Sequence, residues 1–284
     1  MKKRTESDDW RARLTDAEPL KIKIKQITST FKKVYKMDRL LFKQEKGIGY
    51  LTLNRPDKYN AVDTQMLDEM EAFITARMYD NTVSVIILDG GDAKGFCAGL
   101  DMQTFGPDIF RMPPVDAYNA QARLSRMMLG LRKIPQPVIC CIHGAAAGIG
   151  FSLAMASDIR ILAETAKFSA AYINIGLGGA DMAASYFLPR LIGSGRANEF
   201  LLTGNWLEAE EAMNLGFGSR LVPKEKMLDT AVEMATVMTG KNPMGLRMTK
   251  EAININIDAG GLEASLQMED RNQMMLAFGM HHKG

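Results

Sequence analysis

The sequence predicts an α/β fold with its helices gathered at the C-terminal end, and three observations carry that prediction. Short apolar runs bounded by Gly, Asp and Asn, at residues 47–54, 83–89 and 138–142, read as buried strands. Stretches of helical spacing separate them. From about Leu188 onward the pattern is almost wholly helical.

Residues 1–36 are polar and basic, with eleven Lys/Arg against five Asp/Glu, and Lys21 to Lys25 alternates like a strand with one wet face. Met37 reads as the start of the folded core. This gives three parts: a basic extension at 1–36, a core at 37–223 and a helical region at 224–284. Residues 63–78 have helical spacing, with Asp63 or Thr64 as N-cap, and Met66, Met70 and Phe73 share one face. A second helix over 115–131 ends at the Pro135-Gln136-Pro137 punctuation. The strand 138–142 should put Cys140 and Cys141 on opposite faces. It runs into a glycine-alanine turn at 144–150, a helix at 151–156 and a strand at 158–163. Gly240 is placed as a helix stop, with Pro243 just beyond it.

A net charge of +2 with 46% hydrophobic and 24% charged residues gives no bulk attraction to nucleic acid or membrane. No apolar run approaches the roughly 20 residues that span a bilayer. The N-terminus has acids where a signal peptide needs an apolar stretch. Three cysteines, Cys97, Cys140 and Cys141, give neither a disulfide framework nor a zinc spacing, so a reduced cytoplasmic protein without a metal is expected. The 21 methionines are read mainly as core, with some suited to an irregular acyl pocket.

Two loops of small residues follow predicted strands: Phe96-Cys97-Ala98-Gly99-Leu100-Asp101, and the 144–150 turn ending Gly148-Ile149-Gly150. Small residues let backbone approach a ligand, and a helix start offers unpaired N–H donors. Two such donors from separate loops can hold a carbonyl oxygen as it gains negative charge. Tight packing of a strand–turn–helix explains each loop equally well when taken alone. The second loop lacks the G-x-G-x-x-G spacing of a dinucleotide site.

Taken in order, these loops resemble the crotonase (enoyl-CoA hydratase/isomerase) family. The other landmarks are Leu53-Asn54-Arg55-Pro56 with Asn60-Ala61, Leu188 to Gly193, Leu202-Thr203-Gly204, Glu210-Glu211-Ala212 and Glu269 to Gln273. The resemblance runs from about Met37 to the C-terminus. It implies a ββα spiral with a C-terminal helical oligomerisation region that builds trimers or dimers of trimers. It also implies a bent acyl-CoA substrate, with coenzyme A entering as part of that substrate and no separate cofactor. By position it makes the N–H groups of Leu100 and Ile149 the oxyanion donors. Lys58, Asn60, Ala61, Ala98, Gly99, Gly148 and Ser152 become substrate-binding residues. Family members usually carry Gly where Ile149 stands, and a branched side chain there is expected to reshape the acyl pocket.

The departures bear on mechanism. Hydratases of the family place two glutamates where this chain has Ser152 and Tyr172. A serine hydroxyl is a poor proton shuttle, and a tyrosine is a weak acid at neutral pH. Asp181 remains, in a loop where dienoyl-CoA isomerases and 4-chlorobenzoyl-CoA dehalogenases of the family carry a catalytic Asp. Asp181 would equally suit the N-cap of the following helix. In the dehalogenase comparison Tyr172 replaces a Trp and Ser125 stands where a histidine base is needed. His143 reads as a satisfied structural histidine, and Asp101 and Asp158 as structural acids. The expectation is an acyl-CoA enzyme with Asp181 and Tyr172 in its catalytic set. Alternatives are a hydrolase or dehalogenase-like enzyme using Asp181 as nucleophile or water activator, and a non-catalytic CoA-binding paralogue.

Overall fold

The computed structural model describes residues 37–105 and 111–281. The extension at 1–36, with its expected strand, lies outside them. Strands β1 (Leu40–Glu45) and β2 (Ile48–Leu53) form an antiparallel pair. Helix α1 (Thr64–Arg77) and strand β3 (Val85–Asp89) follow. Asp63 caps α1, its Oδ1 accepting the Met66 N–H at 2.8 Å. Glu69 of α1 is buried and accepts the N–H groups of Asp38, Arg39 and Leu40, which fixes the start of β1.

Helix α2 (Pro114–Lys133) leads to β4 (Val138–Ile142), β5 (Ala145–Ala147) and α3 (Ile149–Ala156). Next come β6 (Ile159–Ala163), β7 (Lys167–Ser169), α4 (Ala184–Ile192) and α5 (Ser194–Thr203). Then follow β8 (Leu207–Glu208), α6 (Ala209–Asn214) and β9 (Arg220–Val222). Helices α7 (Met227–Thr239), α8 (Pro243–Asn256) and α9 (Leu262–His281) complete the described chain.

Six strands form one sheet in the order β1-β2-β3-β4-β6-β9, parallel from β2 onward. A smaller sheet, β5-β7-β8, runs beside it. Two successive turns of chain, β4-β5-α3 and β6-β7-α4, each give a strand to the first sheet, a short strand to the second and then a helix, which is the expected ββα spiral. The parallel strands are apolar on both faces, as a sheet covered on both sides requires. Ile86, Leu88, Val138, Cys140 and Ile142 face the main core, while Val85, Ile87, Ile139 and Cys141 face a second cluster beneath α7. Cys140 and Cys141 therefore lie on opposite faces, as the period-2 rule predicted. Met66, Met70 and Phe73 are core residues.

Strands β8 and β9 lie inside the stretch read as wholly helical. Two and three residues are too short to show an alternation. Gly240 does cap α7, but at φ −75°, a helical value and not a left-handed one. No described helix is long and apolar enough to cross a membrane.

One buried charge cluster fastens α8 to the core. Asp158 accepts from Arg132 at 3.0 Å, from Lys250 at 2.8 Å and from the Val138 N–H at 2.8 Å. Lys250 also donates to the carbonyls of Leu131 and Gln136. Burial pulls the Lys250 pKa down, and Asp158 opposes that shift. Removing one member of such a cluster strands the others without solvent. Asp158→Ala should cost about 3 kcal/mol in urea unfolding. Lys250→Met, which keeps the stem and leaves Asp158 paired to Arg132, should cost clearly less. Equal losses would show that the cluster contributes through packing alone.

Candidate active site

The two small-residue loops leave the carboxyl ends of adjacent parallel strands, β3 and β4. The Cys97 N–H donates to Ala145 O at 3.1 Å, and the Ala147 N–H donates to Cys97 O at 2.9 Å. A Cβ on Gly150 would stand 2.3 Å from Cys97 O, so no larger residue fits at that backbone contact. Gly148 has φ +51° and ψ −117°, a region open essentially to glycine alone. Gly99 lies against Ala147 and Gly148, a Cβ there standing 3.9 Å from the Gly148 Cα. The residues just before Leu100 and Ile149 are therefore in contact across the two loops.

Neighbouring N–H groups are already engaged: Ala98 with Tyr59 O, Asp101 with Val62 O, and Gly148 with Ser169 O. The N–H groups of Leu100 and Ile149 have no protein acceptor among the described residues. Ile149 opens α3, where helix geometry leaves the N–H without an internal partner. Its side chain is fully buried in the main core. Leu100 is half-buried and packs against the same cluster.

Residues 58–61 run alongside the first loop. Lys58 is exposed at the end of a short 3₁₀ turn, Pro56–Lys58. Asn60 is fully buried: it accepts the Arg55 N–H and donates to the carbonyls of Gly90 and Phe96. That side chain is committed to the shape of the loop and presents no free polar atom. Ala61 O accepts from Arg55, which also pairs with Asp101 at 3.0 Å and Asp63 at 3.3 Å. Burial alone would raise the Asp101 pKa. The Arg55 hydrogen bond and charge, with the N–H groups of Gln103 and Thr104, hold it below the usual range. Asp101 is thus structural, as expected. So is His143, buried with Nε2 on Ala93 O at 2.7 Å.

Ser152 lies one helical turn beyond Ile149. Its Oγ is buried and makes no hydrogen bond of ordinary geometry. The Tyr172 ring covers Gly148, with Cδ1 3.6 Å from where a Cβ would be. Burial pushes the Tyr172 hydroxyl up to about 12, and the nearby Ser152 hydroxyl opposes this weakly. The Tyr172 hydroxyl points at the Asp181 carbonyl, 3.5 Å away.

Asp181 is half-buried and does not cap α4 with its side chain; the cap position is Ala183, which has no side-chain hydrogen bond. Its Oδ1 instead accepts from the Met182 N–H and from Gln121 Nε2, both at 2.7 Å. Desolvation raises the Asp181 pKa, and these two donors oppose it. Gln121 was absent from the sequence reading, because it lies 60 residues away with no local signal. Just beyond, a cavity of about 680 Å³ opens between α2, α4 and α8, lined by Ser125, Met128, Ala183, Phe187, Asn254 and Ile255 among others. Among the described residues no group of three His, Cys, Asp or Glu is placed to hold a metal ion.

The family model described as enoyl-CoA hydratase/isomerase matches residues 43–283. The chain belongs to the enoyl-CoA hydratase/isomerase family, and it is an enzyme of that family. It is 38% identical over 232 residues to the "probable enoyl-CoA hydratase" of Mycobacterium bovis, covering 81% of each chain. It is 34% identical to the 1,2-epoxyphenylacetyl-CoA isomerase of Escherichia coli, covering 82% of this chain and 88% of the relative. The enoyl-CoA hydratase structure from Bacillus anthracis superimposes with a TM-score of 0.79 at 30% identity, covering 86% and 92%. Ser152 and Tyr172, which the resemblance sets at the positions of the two hydratase glutamates, are both buried hydroxyl residues.

The raised pKa of Asp181 has a sign that can be measured. Such a group stabilises the fold fully below its unfolded value of about 3.8, and loses that contribution as pH rises through its folded value. Asp181→Asn should therefore melt higher than wild type at pH 7, with the difference shrinking toward pH 3. A variant that melts lower at pH 7 would show that the carboxylate is held by attraction, not by burial.

Proposed function

We propose that this enzyme moves a carbon–carbon double bond within an enoyl-CoA thioester, using Asp181 as its single acid/base. One observation carries the reading: Asp181 is a carboxylate lifted by burial in the loop beneath Tyr172, with Ser152 and Tyr172 standing in place of the hydratase pair. Asp89, also lifted by burial, instead has one oxygen on Thr52 and the other on the Gly91 N–H. Moving a double bond needs one group that takes a proton from one carbon and returns it two carbons along. Hydration needs a second group to activate water. Two relatives named as isomerases support this reading: the E. coli enzyme, an isomerase of an epoxyacyl-CoA, and a monofunctional enoyl-CoA isomerase from M. smegmatis with a TM-score of 0.68 at 35% identity, covering 81% of this chain and 99% of that one.

In this mechanism the N–H groups of Leu100 and Ile149 hold the thioester oxygen as the dienolate forms. Residues 58–61 lie at the nucleotide end. Ala98, Gly99 and Gly148 flank the thioester, and Ser152 meets the acyl group. Tyr172, neutral at every physiological pH, excludes water and takes no proton. The acyl group runs past Asp181 into the cavity bounded by Ser125 and Ala183. Ser125 lines that cavity and makes no bond to Asp181, so a base to assist nucleophilic attack is missing from the dehalogenase position. No cofactor beyond the substrate's own coenzyme A is required. The free, buried thiols of Cys97, Cys140 and Cys141 suit a reducing cytoplasm.

A second copy of the chain is the natural cover for Ile253, Leu266, Met274, Met275 and Phe278, all exposed on α8 and α9, whereas Met248 is already buried. Light scattering at micromolar concentration should report a trimer or a dimer of trimers; a monomer would contradict this. Asp181→Asn should lower turnover of 3-hexenoyl-CoA to its conjugated isomer at least ~10²-fold while leaving the fold intact. Crotonyl-CoA hydration by the wild type should fall far below the diffusional ceiling of about 10⁸ M⁻¹s⁻¹. Full isomerase activity in Asp181→Asn would end this reading.

A further inference from the structure

We propose that Gln121 is a positioning residue that reserves Oδ1 of Asp181 as a permanent hydrogen-bond acceptor and leaves Oδ2 as the oxygen that carries the proton. The proposal rests on the reading of Asp181 as the acid/base, but its own evidence is the geometry around one carboxylate. Gln121 Nε2 and the Met182 N–H both donate to Oδ1 at 2.7 Å. Oδ2 has no hydrogen-bond partner among the described residues and is not sealed off from solvent by them. A proton on Oδ1 would displace two donors; a proton on Oδ2 displaces none. The two oxygens are chemically equivalent in solution and unequal here.

The distance of Gln121 in sequence is what makes it useful. Asp181 sits in a loop whose next two residues, Met182 and Ala183, hold φ of 44° and 68°, a left-handed backbone that non-glycine residues adopt at a cost. A donor within that loop moves whenever the loop moves. Gln121 belongs to α2, a 20-residue helix that buries Leu124, Met127, Met128 and Leu131 in the core. It therefore ties the carboxylate to a rigid element and sets its rotation relative to the paired loops. Among the described residues Tyr172 is the titratable group that acts on Asp181 from the packed elements, and it stays neutral. No cation competes for either oxygen among the described residues.

The test reads the carboxylate directly. Asp-carboxyl ¹³C labelling, with the Asp181 signal assigned by its loss in Asp181→Asn, gives its titration in wild type, Gln121→Leu and Gln121→Glu. Losing a donor to the charged form should move the Asp181 midpoint upward by about one pH unit or more in Gln121→Leu, and further in Gln121→Glu. The acid limb of kcat against pH for 3-hexenoyl-CoA should move by the same amount, with KM little changed. A role confined to holding the loop would lower melting temperature and leave both titrations where they were. Unchanged titration in folded Gln121 variants overturns the proposal, even if Asp181→Asn is inactive. If Asp181→Asn is fully active while the Gln121 variants still shift the titration, the acid/base reading fails and the tie itself survives.

Discussion

The site depends on a backbone-to-backbone contact that excludes side chains. Loops 95–101 and 144–150 approach so closely that a Cβ on Gly95, Gly144 or Gly150 would stand 2.9 Å or less from backbone atoms of the opposite loop. The contact follows from the sheet. β3 and β4 are parallel neighbours in fixed register, Ile86 opposite Val138 and Asp89 opposite Cys141. The segments leaving their carboxyl ends must therefore run side by side, which is where open parallel sheets bind ligands. Leu100 and Ile149 stand next to this contact with N–H groups that have no acceptor among the described residues. Had either loop carried ordinary side chains, the loops would stand farther apart.

Charge is handled in two opposite ways. Around the loops and beneath α8 two clusters of buried ions are matched: Arg55 with Asp63 and Asp101, Arg132 and Lys250 with Asp158. Those groups lose solvent and gain partners of opposite sign, so they act as fasteners. Asp181 also loses solvent, but its partners are an amide and a backbone N–H, both neutral. Neutral donors steady the carboxylate without the full stabilisation that a cation would give. The result is a carboxyl group that costs stability at neutral pH and is correspondingly more basic, which suits proton abstraction beside a thioester.

Local patterning in the sequence carried the parts of the fold that are local. The Asp63 cap, the alternation at Cys140 and Cys141 and the small-residue loops each depend on a few neighbouring residues, and each stands where the pattern put it. Strands β8 and β9 escaped because two or three residues cannot display a period. At the site, chain order pointed to Asp181 and to the loop glycines. It could not show that the Asp181 side chain turns away from the α4 cap, that Ile149 points into the core, or that Asn60 spends all its hydrogen bonds inward. Those facts depend on side-chain direction. Gln121 is the extreme case, since the contact that gives it meaning spans 60 residues.

Replacing a hydratase-type glutamate with Tyr172 changes more than the residue it removes. A carboxylate at that position would place a second negative charge and its hydration next to Asp181. Tyr172 instead places an aromatic ring over Gly148, and its hydroxyl, pushed up to about 12, stays protonated at any working pH. A neutral hydroxyl is a poor partner in proton transfer, which is why the proposed reading gives the task to one group. Burial is the first cause of the raised Asp181 pKa, and the Tyr172 hydroxyl reaches toward the Asp181 backbone carbonyl. Ser152, buried and without a partner, adds no charge to disturb this. With both positions neutral, Asp181 is left as the one carboxylate that the proposed movement of a proton between two carbons would use, and that proposal, unlike addition of water, asks for no second acid.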